Sequence, residues 1–269
     1  MKKLLTLLLI AAPIITAAQE WQGKITYNRK QQRELPKEVA ARQTKVVEGI
    51  TETNMDVELM FNKTKSLYRA RPLPEDQRYH EGDFESGRFS SSELQNAELL
   101  IMKTRHVDNH HKVYRDLEKQ DIIIKKVFRK KDFLLTAAPK SGKWKLTNEK
   151  KEITGFKCNK ATRIDGDQIV EAWYTTKIPV SSGPSVYGDL PGLILEVNID
   201  NGKLLYVAKI AEVGPDFSSD IRAPSKGKKV TSEQFDKIVN IKNAELKEMR
   251  RRDRDNEERE SDEGERREH

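Results

Sequence analysis

Residues 193–212 read LILEVNIDNGKLLYVAKIAE. Apolar and β-branched residues fill both arms, and Asp200-Asn201-Gly202 separates them. Asn-Gly between two such runs is a strong local hairpin signal, because a tight turn of matching twist needs positive φ at successive positions. Two antiparallel strands are therefore expected over residues 193–199 and 203–212. Alternation puts Leu193, Leu195 and Val197 on one face of the first strand, and Ile194 and Glu196 on the other. The same pattern occurs upstream: residues 161–164, a turn at Asp165-Gly166-Asp167, and a return over residues 169–175. A third hairpin is read where residues 55–62 alternate, Asn62-Lys63-Thr64 turns, and residues 66–70 return.

Further strand-like runs lie at 23–28, 99–102, 111–114, 122–128 and 133–135, with a polar loop read over 72–92 and a helix or loop over 34–48. The chain is thus mainly β. A single antiparallel sheet of roughly eight to twelve strands is expected, and a sheet that wide curls, which predicts a half-barrel with a concave apolar face. The end of the chain changes character. Thr231 and Gln234 have capping-box spacing, and Phe235, Ile238, Val239, Leu246 and Met249 share one helical stripe, predicting a helix over 231–249 that docks on the sheet. From Arg250 onward there are seven Arg against nine Asp and Glu. That charged tail, residues 250–269, is read as disordered or as a solvated helix extension, because it has no apolar surface to bury.

The beginning sets the expected location. Lys2 and Lys3 precede an apolar run over 4–15, and Thr16-Ala17-Ala18 supplies small residues, so residues 1–18 are read as a signal peptide cleaved after Ala18. No Cys follows, so no acyl anchor is expected, and no later run is apolar enough to cross a bilayer. The mature protein, an antiparallel β domain over 19–230 followed by the helix and tail, is expected in the periplasm or outside the cell. Cys158 is the single cysteine, which excludes an intramolecular disulfide. The formal net charge is +7, from 50 Lys and Arg against 43 Asp and Glu. The basic residues are dispersed and no aromatic–basic module recurs, so nucleic acid is not an expected partner.

The segment Tyr187-Gly188-Asp189-Leu190-Pro191-Gly192-Leu193-Ile194-Leu195-Glu196-Val197 resembles the GLPGLI family, also called the Porph_ging family, of exported proteins of uncharacterised function in diderm bacteria. Gly155-Phe156-Lys157-Cys158-Asn159-Lys160-Ala161-Thr162, Ala172-Trp173-Tyr174-Thr175, and Ile178-Pro179-Val180 followed by Gly183-Pro184 match other family segments in order. The resemblance is strong over residues 144–213. One departure is Asp189, which stands where the family has its first Gly. The resemblance implies export and a β fold, but no reaction.

The stretch 179–195 holds the candidate site. Gly183 and Pro184 form one turn-rich connection. Leu190, Pro191, Gly192 and Leu193 form a second, read as a type II turn with positive φ at Gly192. It is either a binding rim or a structural crossing that sets strand register. Trp144, Trp173 and Tyr174 are candidates for lining a cavity or filling the core. His106, Asp108 and His110 flank a turn and could converge on a transition metal. Cys158 lies between Lys157 and Lys160, yet alternation makes it a small buried residue. No nucleophile–base constellation is visible, so the chain is not read as an enzyme and no cofactor is expected. Two functions compete. One is binding of a lipid, acyl chain or peptide on the concave face. The other is a non-catalytic interaction module working with an outer-membrane transport partner. A metal-binding envelope protein is a third reading.

Overall fold

Twelve strands and one helix form from the described residues of this computed structural model, which are 21–32, 52–71, 111–137 and 143–267. The signal-peptide reading at 1–18 and the readings at 34–48, 72–92 and 99–102 lie outside them. The strands are β1 (Gly23–Gln32), β2 (Glu52–Phe61), β3 (Lys65–Ala70), β4 (Lys112–Asp116), β5 (Asp121–Phe128), β6 (Lys131–Ala137), β7 (Lys145–Ile153), β8 (Phe156–Asp165), β9 (Gln168–Thr175), β10 (Leu193–Ile199), β11 (Leu204–Val213) and β12 (Lys228–Val230). The helix, α1, spans Ser232–Arg267.

All strands join one sheet in the order β12-β6-β5-β4-β3-β2-β1-β11-β10-β9-β8-β7. Two sequential meanders, β1–β6 and β7–β11, meet where β1 pairs antiparallel with β11. Only β12 runs parallel, against β6. The turns form where their chemistry predicts. Asn62 Oδ1 accepts the amides of Thr64 and Lys65 at 3.0 and 2.8 Å, closing the β2–β3 hairpin. Asp200, Asn201 and Gly202 all have positive φ between β10 and β11.

The sheet is open and strongly curled. Strands β4 and β8 are seven places apart in the order, about 34 Å along a flat sheet at ~4.8 Å per strand. Yet the adjacent residues Val186 and Tyr187 reach Arg115 on β4 and Arg163 on β8 respectively. The inner face carries Ile25, Tyr27, Val57, Leu59, Phe61, Tyr68, Val113 and Tyr206, all buried. Lying across it is the connection from β9 to β10, in which Ile178, Val180, Ser182 and Leu190 are at most 2% exposed. A smaller cluster of Met60, Leu67, Tyr114 and Ile221 forms on the outer face.

The expected alternation in β10 is broken. The β9–β10 register pairs Ile194 with Tyr174 and Val197 with Ala172, skipping Leu195. Directly paired residues share a face, so Ile194 joins Val197 on the inner side, and an unbroken period of two fails there.

The capping box closes α1: Thr231 Oγ1 accepts from the Gln234 amide at 3.2 Å, and Gln234 Oε1 accepts from the Thr231 amide at 3.0 Å. Phe235 meets Phe133 and Phe128 edge-on at 5.2 and 6.4 Å. Ile238 and Val239 are half-buried against the same core. Beyond them Arg129 Nη2 still donates to Lys242 O at 2.7 Å and Leu246 is half-buried, but Met249 is 59% exposed despite lying on the docking stripe. The helix also runs on through the charged stretch to Arg267 rather than ending near 249. Arg and Glu are strong helix formers, and Glu248 pairs with Arg251 and Arg252 one turn on.

Phe235→Ala should therefore lower stability by about 3 kcal/mol. Deleting residues 251–269 should leave the urea midpoint almost unchanged, because that stretch carries no large apolar residue. Urea unfolding followed by circular dichroism at 218 nm, a wavelength on the order of the β-sheet minimum and dominated by strand, separates the two.

Candidate functional site: the segment across the curled sheet

The connection between β9 and β10 is built from residues that break regular structure. Pro179, Pro184 and Pro191 remove amide donors. Tight turns follow, with the Val180 amide donating to Ile178 O, Ser182 to Val180 O, and Gly192 to Leu190 O, each at 2.8 Å. The last is an i→i+2 bond, so Leu190-Pro191-Gly192 is a γ-type turn and not the expected type II turn. Gly192 sits at φ +156°, and a Cβ there would come within 2.1 Å of the Thr175 carbonyl oxygen. Close backbone approach, rather than a left-handed turn position, is what requires glycine.

Hydrogen bonds hold this segment to both meanders. Ser182 Oγ and Ser66 Oγ on β3 are 2.8 Å apart. The Ile194 amide donates to Ser182 O at 2.9 Å, and Ser182 bridges to Gly188 within the segment. Trp144 Nε1 donates to Gly188 O at 2.9 Å, and Arg115 Nη2 donates to Val186 O at 2.6 Å.

The segment covers two buried arginines, one from each meander. Arg115 is 4% exposed, and besides Val186 O its Nη1 reaches Asp189 Oδ1 at 3.3 Å. Burial lowers its pKa, the Asp189 carboxylate opposes that shift, and the Arg163 charge adds to it. Gly188 makes room, since a Cβ there would lie 2.8 Å from Arg115 Nη1. Asp189 takes φ +66°, a conformation Asp tolerates better than most residues. Arg163 is also 4% exposed. Its Cζ lies 4.5 Å from the Trp144 ring centroid and 5.4 Å from that of Tyr187. Burial raises the Tyr187 phenol well above its ordinary value, so it stays neutral.

The residues singled out in the sequence are distributed as follows. Gly183, Pro184, Leu190, Gly192 and Leu193 are buried, and Pro191 is exposed. Tyr174 is buried on the inner face. Trp173 lies on the opposite face, with Lys151 Nζ 4.3 Å and Lys160 Nζ 5.8 Å from its ring centroid. Alternation places its neighbours Ala172 and Tyr174 inward and Trp173 on the other side of the strand, where it is half-buried and packs against core residues. Cys158 is buried, and burial pushes its thiol up to about 11 despite the nearby Lys151. His106, Asp108 and His110 lie outside the described residues. Their neighbour His111 packs edge-on to Tyr68 at 6.0 Å, and burial, with Lys126 and Arg29 nearby, lowers its pKa to about 4. Among the described residues no group of His, Cys, Asp and Glu has metal-site spacing. Likewise no helix there is long and apolar enough to cross a membrane.

Sequence reasoning passed over Arg115 and Arg163. The available signal was periodicity: Arg163 lies two residues after the inward Ala161, and Arg115 two after the inward Val113.

The model of the Porph_ging family, described as a protein of unknown function, matches residues 162–196. The resemblance read from the sequence is met there, on β8, β9 and the crossing segment. A comparison with curated proteins gives no match. Two solved structures of PNGF-II, in the P21 and C2 space groups, superpose with TM-score 0.49 at 15% and 13% identity. The superposition covers 81% of this chain but 33% and 32% of theirs, so this chain spans about a third of their length.

Gly192→Ala should cost roughly 3 kcal/mol, since the clash is with backbone, whereas Gly166→Ala, with open space around it, should cost about 1 kcal/mol. Equilibrium urea unfolding of the two variants measures the difference. The depressed pKa of His111 means that the unfolded chain binds its proton first. Stability from this group is complete above pH 6.5 and is lost as pH falls through about 4. His111→Phe should therefore remove about 1–2 kcal/mol of the stability difference between pH 7 and pH 5, read from urea midpoints at both values.

Proposed function

We propose that this protein is an exported, non-catalytic interaction module of the bacterial envelope that presents α1 to a protein partner in an outer-membrane transport system. The observation that carries this reading is the helix itself. Its apolar stripe docks on the core through Phe235, Ile238 and Val239 and ends in Met249, 59% exposed, with Ile241, 58% exposed, on the stripe's flank. From Asn243, past the Arg129–Lys242 contact, to Arg267 the helix runs about 38 Å at ~1.5 Å per residue. A mostly polar helix of this kind suits a bridge between two bodies. The stripe gives a partner apolar surface continuous with one already used within the fold.

The occupied inner face supports the same reading. Ile178, Val180 and Leu190 fill the place where an acyl chain or apolar peptide would lie on that face. The signal-peptide pattern at 1–18 and the family resemblance support export.

A photo-crosslinking residue at position 249, in cells of the native host, should give one dominant adduct with an outer-membrane protein. The same probe at Asn201, on the β10–β11 turn, should not. Ile241→Lys should abolish the adduct while leaving the melting curve unchanged, since Ile241 is exposed. Equal labelling from both positions, or an adduct that survives Ile241→Lys, would sink the proposal.

A further inference from the structure

The guanidinium of Arg163 is the least satisfied polar group among the described residues. Its side chain is 1% exposed, and Nε, Nη1 and Nη2 have no hydrogen-bond acceptor. The nearest carboxylate oxygen, Asp165 Oδ2, is 3.7 Å from Nη2, beyond hydrogen-bond length. Trp144 and Tyr187 flank it and supply cation–π attraction, but ring faces do not replace the in-plane acceptors that a guanidinium needs. Arg115, across the crossing segment, also keeps its Nε without a partner. A buried cation whose donors face no acceptor is costly, and an arriving oxyanion would remove that cost.

We infer that Arg163, walled by Trp144 and Tyr187, is the cation of a binding site for a carboxylate group. The planar fork of a guanidinium matches a carboxylate with two parallel hydrogen bonds. The local charges favour a monoanion. Arg115 and Arg163 stand against Asp165 and Asp189, and Asp189 is already engaged by Arg115. These four charges sum to zero, so a carboxylate adds one uncompensated negative charge and a phosphate dianion two. The aromatic walls suit the apolar carbon next to a carboxylate. The Asp165 and Asp189 side chains beside the two guanidinium groups are 25% and 39% exposed.

The test uses the full-length mature protein carrying Trp21→Phe and Trp173→Phe, so that Trp144 alone reports. Sodium propionate is titrated at constant ionic strength against sodium chloride, with sodium phosphate as a separate arm. Propionate should shift the Trp144 emission saturably, and chloride and phosphate should not. Arg163→Met should abolish the shift. Should that variant fail to fold, Asp165→Asn serves, because removing the competing carboxylate should tighten propionate binding several-fold. No saturable shift, equal shifts with propionate and chloride, or Asp165→Asn binding unchanged or weaker would each overturn the site. A response to phosphate alone would overturn the carboxylate assignment.

Discussion

The pairing of β1 with β11 is the constraint on which the molecule rests. Each meander is local in sequence, with hairpin following hairpin, and each could be assembled from short-range turns. Only at this seam do they become one sheet, through nine paired positions from Gly23↔Val213 to Gln31↔Leu204. A pairing this distant in sequence carries a loop-closure cost before it returns any stability, so it should form late in folding. Tyr27 secures it from within: its buried phenol donates to Ile194 O at 2.6 Å, linking the seam to β10 where the register shifts.

Once the seam is made, the crossing segment decides the curvature. Its serine, carbonyl and aromatic groups meet β3, β4, β8 and β11 at once. No flat sheet could satisfy those contacts. The curl and the segment are therefore one feature. The sheet bends because a stretch rich in Pro and Gly, unable to join a ladder, is buried within it and bonded to both ends. A concave face of this kind is filled from the moment it forms.

Much of the fold was legible because its signals are local. Asn62-Lys63-Thr64, Asp165-Gly166-Asp167 and Asp200-Asn201-Gly202 each specify a turn by backbone chemistry, and the capping box at Thr231 specifies a helix start. The less legible parts depend on distant partners. Nothing near Leu195 announces a register shift, since the shift answers to β9. Nothing near Met249 says that the sheet ends two turns earlier. The type II reading of Leu190-Pro191-Gly192 failed for a related reason: glycine there answers to the Thr175 carbonyl across the crossing, not to its own φ. Arg115 and Arg163 were hidden because charged residues on strands are ordinarily solvent-facing, and only the inward phase of Val113 and Ala161 marks them otherwise.

Asp189 sits where the backbone and charge demands of the crossing segment meet. A left-handed backbone is needed there, and the family's glycine would adopt it freely. Asp carries a penalty of about 1 kcal/mol for that conformation. It returns a carboxylate to Arg115, and a hydrogen bond to a charged group contributes roughly 1.5–3 kcal/mol when buried, less at 3.3 Å beside a partly exposed carboxylate. The two effects nearly offset. The substitution is then understandable as a local exchange, in which backbone ease is given up so that one of two buried arginines keeps an anionic partner. Arg163 has no such carboxylate within hydrogen-bond length, and the asymmetry between the two marks it as the cation still open to a ligand.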